Sequence, residues 1–316
     1  MVGEIVRFIK VLPVFILSSL YCYFIASKFS KAKLRLLSLL PVFSIFVVLP
    51  LYFSSILFTS SVGLFVTWLT TFKLLLFTFD SGPLASNPPL SFPLFASIAF
   101  FPTRTKHNKT TPHDQKSLPK LLPLNLPTKV VILAILILGN SYIDLVCPNN
   151  VKSWINGATV YFYLDVVMSL SNVFVQSTFG VEVRQPFNEP YLATSLQNLW
   201  GRRWNLLVSE TLHSTIYKPI RYKVGMPRWV AVVTVFVVSG LMHELLYYYM
   251  VRANPTWEFT WFFVIHGVCL ALEIELKRAY EKKWQLQRAV STLLTTMFTG
   301  TTTLWLLFPL MLKTLA

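Results

Sequence analysis

Long apolar runs separated by short polar segments dominate the chain. A helix that crosses a lipid bilayer needs about 20 consecutive, mostly apolar residues. Eight segments approach that length: 11–26, 36–57, 62–79, 130–146, 158–180, 229–250, 258–276 and 290–312. A ninth apolar segment, 90–101, is too short and too rich in proline to span, so we interpret it as interfacial or re-entrant. The pattern predicts an all-α polytopic membrane bundle with about eight transmembrane helices.

Two polar segments differ in character from each other. Segment 103–128 is rich in Lys, Thr and Pro, which predicts a mobile basic loop. Segment 181–227 mixes aromatic, amide and basic side chains, a composition that a plain connecting loop does not need. No internal repeat is visible, and we expect a single membrane-embedded domain over residues 1–316.

The basic residues are distributed unevenly among the predicted loops. Of the 28 Lys and Arg residues, 22 lie between spans one and two, three and four, five and six, or seven and eight. With eight spans, these four loops share one side of the membrane. Because Lys and Arg are enriched in cytoplasmic loops, the pattern predicts cytosolic basic loops and termini on the opposite side.

Composition excludes most other classes of protein. Hydrophobic residues make up 54% of the chain, charged residues only 13%, and the mean hydropathy is +0.57. Soluble domains carry about 25% charged residues, so a soluble enzyme and a disordered chain are both excluded. The net charge of +15 favours contact with anionic lipid headgroups. Basic nucleic-acid-binding modules are not this apolar, so we expect no nucleic-acid partner. The three cysteines form no C-x-x-C pair, which argues against disulfides and structural zinc.

His243 is the first candidate for chemistry, because it lies well inside the sixth predicted span and is followed by Glu244. An ionisable residue at that depth is costly and indicates function, although a packing histidine is the simpler alternative. A histidine with a pKa near 6.5 is a natural general base. The second His of H-E-x-x-H is missing, which excludes zinc-protease chemistry. Ser239 shares a helix face with His243, but no G-x-S-x-G elbow supports a serine nucleophile.

Segment 195–205 is the second candidate, and its composition leaves two interpretations open. It is either an amphipathic helix at the membrane surface or a site for a molecule with an acyl chain and phosphates. In the second case, Asn205 donates to an oxygen on which negative charge develops. The basic side chains that would meet phosphates are Arg202, Arg203, Lys218, Arg221 and Lys223. We expect His266, in the seventh span, to be a packing residue.

These segments together resemble the plant wax synthase family of the membrane-bound O-acyltransferase superfamily. The resemblance rests on Trp-Gly-Arg-Arg-Trp-Asn (200–205), Ser-Gly-Leu-Met-His-Glu (239–244) and Phe-Val-Ile-His-Gly-Val (263–268). The segments 36–41, 79–84, 213–221 and 255–258 are similar as well, so the likeness covers nearly the whole chain. Many members carry an acidic residue where this chain has Asn198, and many extend further at the C-terminus.

The resemblance implies an enzyme, most members of which are tied to the endoplasmic reticulum, that moves a fatty acyl group from acyl-CoA to a lipid hydroxyl. It implies a catalytic role for His243 with Asn205 as its partner. Substrate binding is expected of Trp200, Arg202, Arg203, Trp204 and Glu244. We expect no metal and no cofactor other than acyl-CoA as co-substrate.

The predicted reaction is wax ester formation from acyl-CoA and a long-chain fatty alcohol. A sterol acceptor, giving steryl esters, is the first alternative, and diacylglycerol is a further one. Two alternatives come from other classes: an inactive lipid-binding relative, and a transporter. The transporter would use His243, Glu244, Asp165 and Lys73 as a polar path.

Overall fold

The structure is a computed structural model, and it describes residues 2–87, 89–105, 125–280 and 286–307. These residues form α-helices with short 3-10 and π-helical segments, and one isolated antiparallel bridge joins Thr105 and Val183. The predicted all-α class is confirmed. Contacts divide the chain into two compact units, Met1–Pro102 with Val208–Leu272, and Thr103–Leu207 with Glu273–Ala316. The single domain over 1–316 stays a prediction.

The first unit is built from long apolar helices. Its helices are α1 (Val2–Leu20), α2 (Ala32–Val48), α3 (Ile56–Val62), α4 (Thr71–Thr78), α5 (Phe92–Phe100), α10 (Arg228–Val251) and most of α11 (Glu258–Ala279). A π-helical segment, Tyr21–Ile25, and a 3-10 segment, Ala26–Lys28, continue α1, and the π-helical segment Gly63–Thr70 joins α3 to α4. Large apolar side chains fill the interior, among them Leu39, Phe46, Phe53, Leu74, Phe95 and Ile98.

Arg35 fixes the start of α2 against the end of α4. Its buried guanidinium donates to the carbonyl oxygens of Phe29 and Phe77 and forms an ion pair with Asp80 at 2.5 Å. A buried charge needs such a complete set of partners. The contact explains why the turn after α4, which begins the Phe79–Leu84 motif, has a defined shape.

The second unit contains α6 (Leu126–Val146), α7 (Asn149–Phe179), α8 (Leu196–Arg202), α12 (Arg288–Thr302) and the beginning of α9 (Leu206–Leu212). α7 ends at Gly180, which adopts φ +66° and donates its N–H to the carbonyl of Gln176. Glycine takes this left-handed conformation without a Cβ penalty. α12 lies against α7 at Gly300, where any side chain would collide with the ring of Trp154.

Six helical stretches in the described residues are long and apolar enough to cross a membrane. They are Gly3–Lys28, Ala32–Tyr52, Ile56–Thr78, Val151–Phe179, Arg228–Val251 and Glu258–Ala279. The predicted count of eight is therefore not confirmed. The predicted span 130–146 lies on α6, a helix of 21 residues, of which Leu126–Gly139 is a shorter apolar stretch within the described residues. The predicted span 290–312 begins on the threonine-rich α12, and its last five residues lie outside the described residues.

The short apolar segment 90–101 contains α5, and two polar side chains of the first unit bind its end. The buried ammonium of Lys73 donates to the carbonyl oxygens of Ile98 and Phe101, at 2.6 and 2.7 Å. The hydroxyl of Thr70 donates to the carbonyl of Ala99 at 2.9 Å. The last carbonyls of a helix have no partner within it, and these contacts satisfy them.

The two polar segments differ in how much of each the structure describes. Most of the predicted mobile loop 103–128, residues 106–124, lies outside the described residues. Segment 181–227 is largely structured, since it holds a 3-10 turn (Pro190–Leu192), α8, α9 and two π-helical segments, His213–Tyr217 and Pro219–Lys223.

Candidate active site

His243 lies near the middle of α10 among aromatic rings of the first unit. About 1.5 Å of rise per residue places it roughly 22 Å along the helix from Arg228. Its half-buried ring lies 4.4 Å from the ring of Phe263, 5.1 Å from that of Trp68 and 6.4 Å from that of Phe259. Low-polarity surroundings strengthen any electrostatic interaction that the imidazole makes.

One hydrogen bond fixes the protonation pattern of this imidazole. Nδ1 of His243 lies 2.7 Å from the backbone carbonyl oxygen of Ser239. A carbonyl oxygen only accepts hydrogen bonds, so Nδ1 must carry the proton and donate it. In the neutral ring, Nε2 then holds the lone pair. The arrangement therefore presents His243 as a proton acceptor through Nε2, which is what a general base requires.

Glu244 holds the beginning of α11. Its buried carboxylate accepts backbone N–H bonds from Thr256 and Trp257, at 2.9 and 2.8 Å, and longer bonds from the N–H and hydroxyl of Thr260. Trp257 adopts φ +68° in this turn. A carboxylate at a helix N-terminus satisfies unpaired donors and complements the helix dipole. The structure thus gives Glu244 a structural task, and its predicted role in substrate binding stays a prediction.

α10 and α11 approach closely beside His243. A Cβ added at Gly240 would lie 2.8 Å from the Cα of Thr260. Only glycine permits that backbone distance, and the close approach brings Phe263 of α11 against the imidazole. His266, further along α11, is fully buried with its ring 4.3 Å from that of Phe262.

In the second unit, the two arginines of the 200–205 motif have different environments. Arg202 is exposed, whereas Arg203 is buried. The Arg203 guanidinium donates to the Asn198 side-chain oxygen at 2.7 Å and to the carbonyls of Asn188 and Glu189. Burial lowers the pKa of Arg203, although the nearby charge of Glu189 opposes this shift. These contacts stabilise the fold of the 200–205 motif. The predicted contact of Arg203 with substrate stays a prediction.

Asn205 immediately precedes α9, and its backbone conformation is strained. It adopts φ +33°, in the left-handed region that Asn tolerates better than most residues. The turn is held from both sides, since Leu206 donates its N–H to the carbonyl of Pro186 at 2.7 Å and Asn188 donates to the carbonyl of Arg203 at 2.9 Å. Asn205 itself is half-buried. Strained positions held in this way are often functional.

Aromatic packing orients the tryptophans of the same motif. The ring of Trp204 lies 5.5 Å from that of Phe187, 6.0 Å from that of Tyr161 and 6.3 Å from that of Trp200. The Tyr161 hydroxyl donates to the buried carboxylate of Asp165, which is paired with Lys129 at 2.7 Å. The rings and the ion pair together give the motif a rigid support.

A second carboxylate, on Glu273, fixes the start of α8. It accepts the backbone N–H groups of Leu196 and Gln197, at 2.8 and 3.3 Å, and pairs with Lys277. The Ser195 hydroxyl accepts the N–H of Asn198 as the N-cap of this helix. Sequence reasoning missed Glu273 because the residues that it binds lie more than 70 positions away along the chain.

The predicted site residues therefore form two groups. His243 and Glu244 lie in the first unit, and Trp200, Arg202, Arg203, Trp204 and Asn205 lie in the second. Sequence reasoning also missed Trp68 and Phe263, the rings beside His243. The i, i+4 spacing of Phe259 and Phe263 was the available signal for the α11 ring face. Within the described residues, no group of three His, Cys, Asp or Glu side chains is arranged to hold a metal.

Known proteins resemble the chain over nearly its whole length. Residues 183–265 match the family described as "Membrane bound O-acyl transferase family". From Arabidopsis thaliana, the probable long-chain-alcohol O-fatty-acyltransferase 6 is 38% identical over 312 residues, which cover 97% of this chain and 89% of the relative. The probable long-chain-alcohol O-fatty-acyltransferase 2 is 40% identical over 98% of this chain and 91% of its own length.

One relative is named for a different acceptor. The acyl-CoA–sterol O-acyltransferase 1 of Arabidopsis thaliana is 37% identical to this chain, over 96% of it and 89% of the relative. Such identity over whole chains shows common membership, and the apolar helices of the structure agree with it. The chain belongs to the wax synthase family of membrane-bound O-acyltransferases, and it is a multi-pass membrane acyltransferase.

Proposed function

We propose that the protein transfers a fatty acyl group from acyl-CoA to the hydroxyl of a long-chain fatty alcohol, forming a wax ester and free CoA. In this reaction, Nε2 of His243 accepts the hydroxyl proton while the alcohol oxygen attacks the thioester carbonyl. The carbon–sulfur bond then breaks, and the protonated imidazole returns a proton to the departing CoA thiolate. The acyl group moves directly between the two substrates.

The observation that carries this proposal is the hydrogen bond from Nδ1 of His243 to the carbonyl of Ser239. It leaves Nε2 as the basic atom, near the middle of a long apolar helix. The names of the relatives support the choice of reaction.

Asn205 is proposed as the second catalytic group. Its side-chain amide is a donor that carries no charge, suited to an oxygen on which negative charge grows during attack. The held left-handed turn at Asn205 supports this role, because catalytic donors act best when their position is fixed beforehand.

The donor's phosphates are proposed to meet exposed basic side chains. Arg202 is exposed and suits such a contact, whereas the Arg203 guanidinium is already engaged by Asn198 and two carbonyls. We assign phosphate contact to Arg202 and support of the motif to Arg203. No metal or further cofactor enters the proposed reaction.

A sterol is the second candidate acceptor. The relative named as an acyl-CoA–sterol O-acyltransferase favours it, because its identity to this chain differs little from that of the relatives named for alcohols. We place the enzyme in the endoplasmic reticulum with its basic loops on the cytosolic side, where acyl-CoA is available. The uneven distribution of Lys and Arg supports this orientation.

The test supplies labelled palmitoyl-CoA to microsomes that contain the protein, together with hexadecanol, a sterol and diacylglycerol. We expect label in wax ester. His243→Ala should abolish the product while the protein still inserts, because the variant lacks the atom that accepts the hydroxyl proton. Ser239→Ala keeps the carbonyl that binds Nδ1, and it tests whether a serine ester forms.

Each outcome has a clear meaning. Label in steryl ester would make the sterol the acceptor, and label in no ester with a correctly inserted protein would refute acyl transfer. Normal turnover by His243→Ala would remove His243 from the mechanism. A labelled acyl group trapped on Ser239 would replace direct transfer by an acyl-enzyme route.

A further inference from the structure

The imidazole of His243 has one edge at which an acceptor can bind. Its Nδ1 is occupied by the carbonyl of Ser239, at 2.7 Å. An alcohol that gives its proton to Nε2 must place its oxygen within hydrogen-bond reach of that atom, at about 2.6–3.2 Å. The carbon that bears the hydroxyl then lies one covalent bond further out. The side chains that surround the imidazole therefore also surround this carbon.

Three buried aromatic rings make up these surroundings. Phe259 and Phe263 come from α11, and their planes lie 23° and 33° from that of the imidazole. Trp68 comes from the π-helical segment Gly63–Thr70, and its ring is nearly perpendicular to the imidazole, at 77° and 5.1 Å between centroids. A hydroxyl oxygen bound to Nε2 would lie roughly 4 Å from the centre of the imidazole. The oxygen and the rings thus occupy one narrow shell, which leaves little space beside the carbon that follows.

Local contacts fix the position of Trp68. A Cβ added at Gly63 would lie 2.8 Å from a methyl carbon of Leu246, so the π-helical segment approaches α10 closely. The hydroxyl of Thr67, the residue before Trp68, donates to the buried carbonyl of Phe46. π-helical turns are rare, and they occur frequently at functional sites. Because the backbone around Trp68 is held, its indole forms a fixed boundary beside the imidazole.

Primary and secondary alcohols differ at the carbon that bears the hydroxyl. A fatty alcohol carries its hydroxyl on a CH₂ group at the end of the chain, whereas a sterol carries it on a ring carbon that is bonded to two others. The secondary alcohol therefore needs room for one more carbon beside the hydroxyl. Close-packed protein interiors resist such an addition, because their side chains have little free space into which to move.

We propose that Trp68 is a specificity-determining residue, whose indole restricts the acceptor to alcohols that are unbranched at the carbon bearing the hydroxyl. Selection then depends on branching at this carbon and not on the length of the chain beyond it. The proposal rests on the proposed function, because it takes Nε2 of His243 as the atom that receives the hydroxyl proton. It also separates the two acceptors that the names of the relatives leave open, since a sterol is a secondary alcohol.

The test compares two acceptors that differ only in the position of the hydroxyl. Purified protein in liposomes is supplied with palmitoyl-CoA and with either 1-hexadecanol or 2-hexadecanol, which have the same composition. The quantity measured is the ratio of kcat/KM for the primary alcohol to kcat/KM for the secondary one. Both values come from one preparation, so the ratio does not depend on the fraction of protein that is folded. We expect a wild-type ratio above about ten, the smallest discrimination known for one added methylene in an apolar pocket.

Substitution of Trp68 should relax this selection. We expect Trp68→Leu to lower the ratio about tenfold, because it removes most of the boundary beside the hydroxyl-bearing carbon. Trp68→Phe keeps a smaller ring and should lower the ratio less. Phe53→Leu is the matched control, since Phe53 is a buried ring of the same unit that stacks on Phe58. The control opens space elsewhere and should leave the ratio unchanged.

The outcomes separate the role of Trp68 from acyl transfer itself. Esters formed at a ratio that the Trp68 variants leave unchanged, or that Phe53→Leu lowers equally, would overturn the role of Trp68 while acyl transfer stands. A wild-type ratio near one, or ester from a sterol alone, would do the same, because the site would then admit a branched carbon. Trp68→Phe decides the question if Trp68→Leu does not fold. No ester from either alcohol or from a sterol would refute acyl transfer, and the role of Trp68 with it.

Discussion

Arg202 and Arg203 are adjacent in sequence, yet one side chain meets solvent and the other is enclosed by polar backbone atoms. Their shared charge therefore supports two separate tasks. A sequence pattern counts both as basic and assigns both to phosphates. The difference depends on Asn188 and Glu189, whose carbonyls reach Arg203 because the chain before α8 folds back on the motif.

Substitution should separate the two arginines. Arg203→Ala leaves the partners of a buried charge unpaired, so we expect a loss of roughly 3 kcal/mol of stability or more, measured as a lower melting temperature in detergent. Arg202→Ala should melt normally and raise the KM for acyl-CoA. If Arg203→Ala melts at the normal temperature and has a raised KM for acyl-CoA, the result would support the predicted role of Arg203 in substrate binding.

Asn205 allows a test that distinguishes chemistry from support. Asn205→Ala removes the amide donor, and we expect kcat to fall about 10²-fold or more if the donor stabilises the transition state. Asn205→Gly is the control for the backbone, because glycine adopts φ +33° without strain but also lacks the amide. Equal losses in kcat for the two variants at normal stability would support the catalytic role. Full activity of either variant would make Asn205 structural.

At this scale, the sequence indicates candidate side chains but not the residues that surround them. His243 is conspicuous because an ionisable residue stands inside an apolar run. Trp68 is one of many aromatic residues, and nothing local indicates that it lies beside an imidazole 175 positions away. The sequence also does not predict the tautomer of His243, because the tautomer depends on the geometry of one backbone contact.

At the scale of helices, Glu244 links α10 to α11 through the turn that contains Trp257. Glu244→Ala would leave the N–H groups of Thr256 and Trp257 without their acceptor. We expect a loss of about 2 kcal/mol of stability, toward the upper end for a helix cap, and a lower kcat because Phe263 of α11 packs on His243. Melting temperature and steady-state kinetics measure the two effects.

Glu244→Gln is the matched variant, since its amide oxygen still accepts a hydrogen bond. It should recover much of the stability that Glu244→Ala loses. An unaltered melting temperature in Glu244→Ala together with a raised KM would favour the substrate-binding role that the sequence predicted.

The hydrophobic pattern predicted the positions of the long helices, and six of the eight predicted spans coincide with stretches that are long and apolar enough to cross a membrane. Each predicted span from 11–26 to 258–276 coincides with a helix. Within the described residues, the apolar stretch on α6 is Leu126–Gly139, and α12 is rich in threonine. Threonine hydroxyls can bond to the carbonyl one turn earlier, as Thr295 and Thr299 do, which makes such a helix compatible with a membrane without a strong hydropathy signal.

For the whole molecule, the number of crossings decides which loops share a side. If α6 crosses the membrane before α7, segments 28–35 and 213–228 lie on the same side. If only the six most apolar stretches cross, these segments lie on opposite sides. We expect the same side, because both segments are basic and α6 packs along α7.

The side of the membrane on which each segment lies can be measured with single cysteines. They are introduced at Lys33 and at Lys223 in a chain that lacks its native cysteines. In sealed microsomes, a membrane-impermeant maleimide should label both positions. A cysteine at Ser54, beyond the end of α2, is the control that should remain protected until detergent is added. Labelling of the cysteine at position 33 together with protection of the cysteine at position 223 would support six crossings.

Lys73 has a consequence for how the chain enters the membrane during synthesis. Its ammonium forms no ion pair with a carboxylate of the described residues, and it depends on carbonyls at the end of a helix that begins some 20 residues later. Until α5 has emerged from the ribosome, Lys73 would face lipid without these oxygens, which costs several kcal/mol. The segment from α3 to α5 is therefore stable in the bilayer only as one piece. The insertion machinery must hold Ile56–Thr78 beside its aqueous channel until the short helix that follows is ready to leave with it.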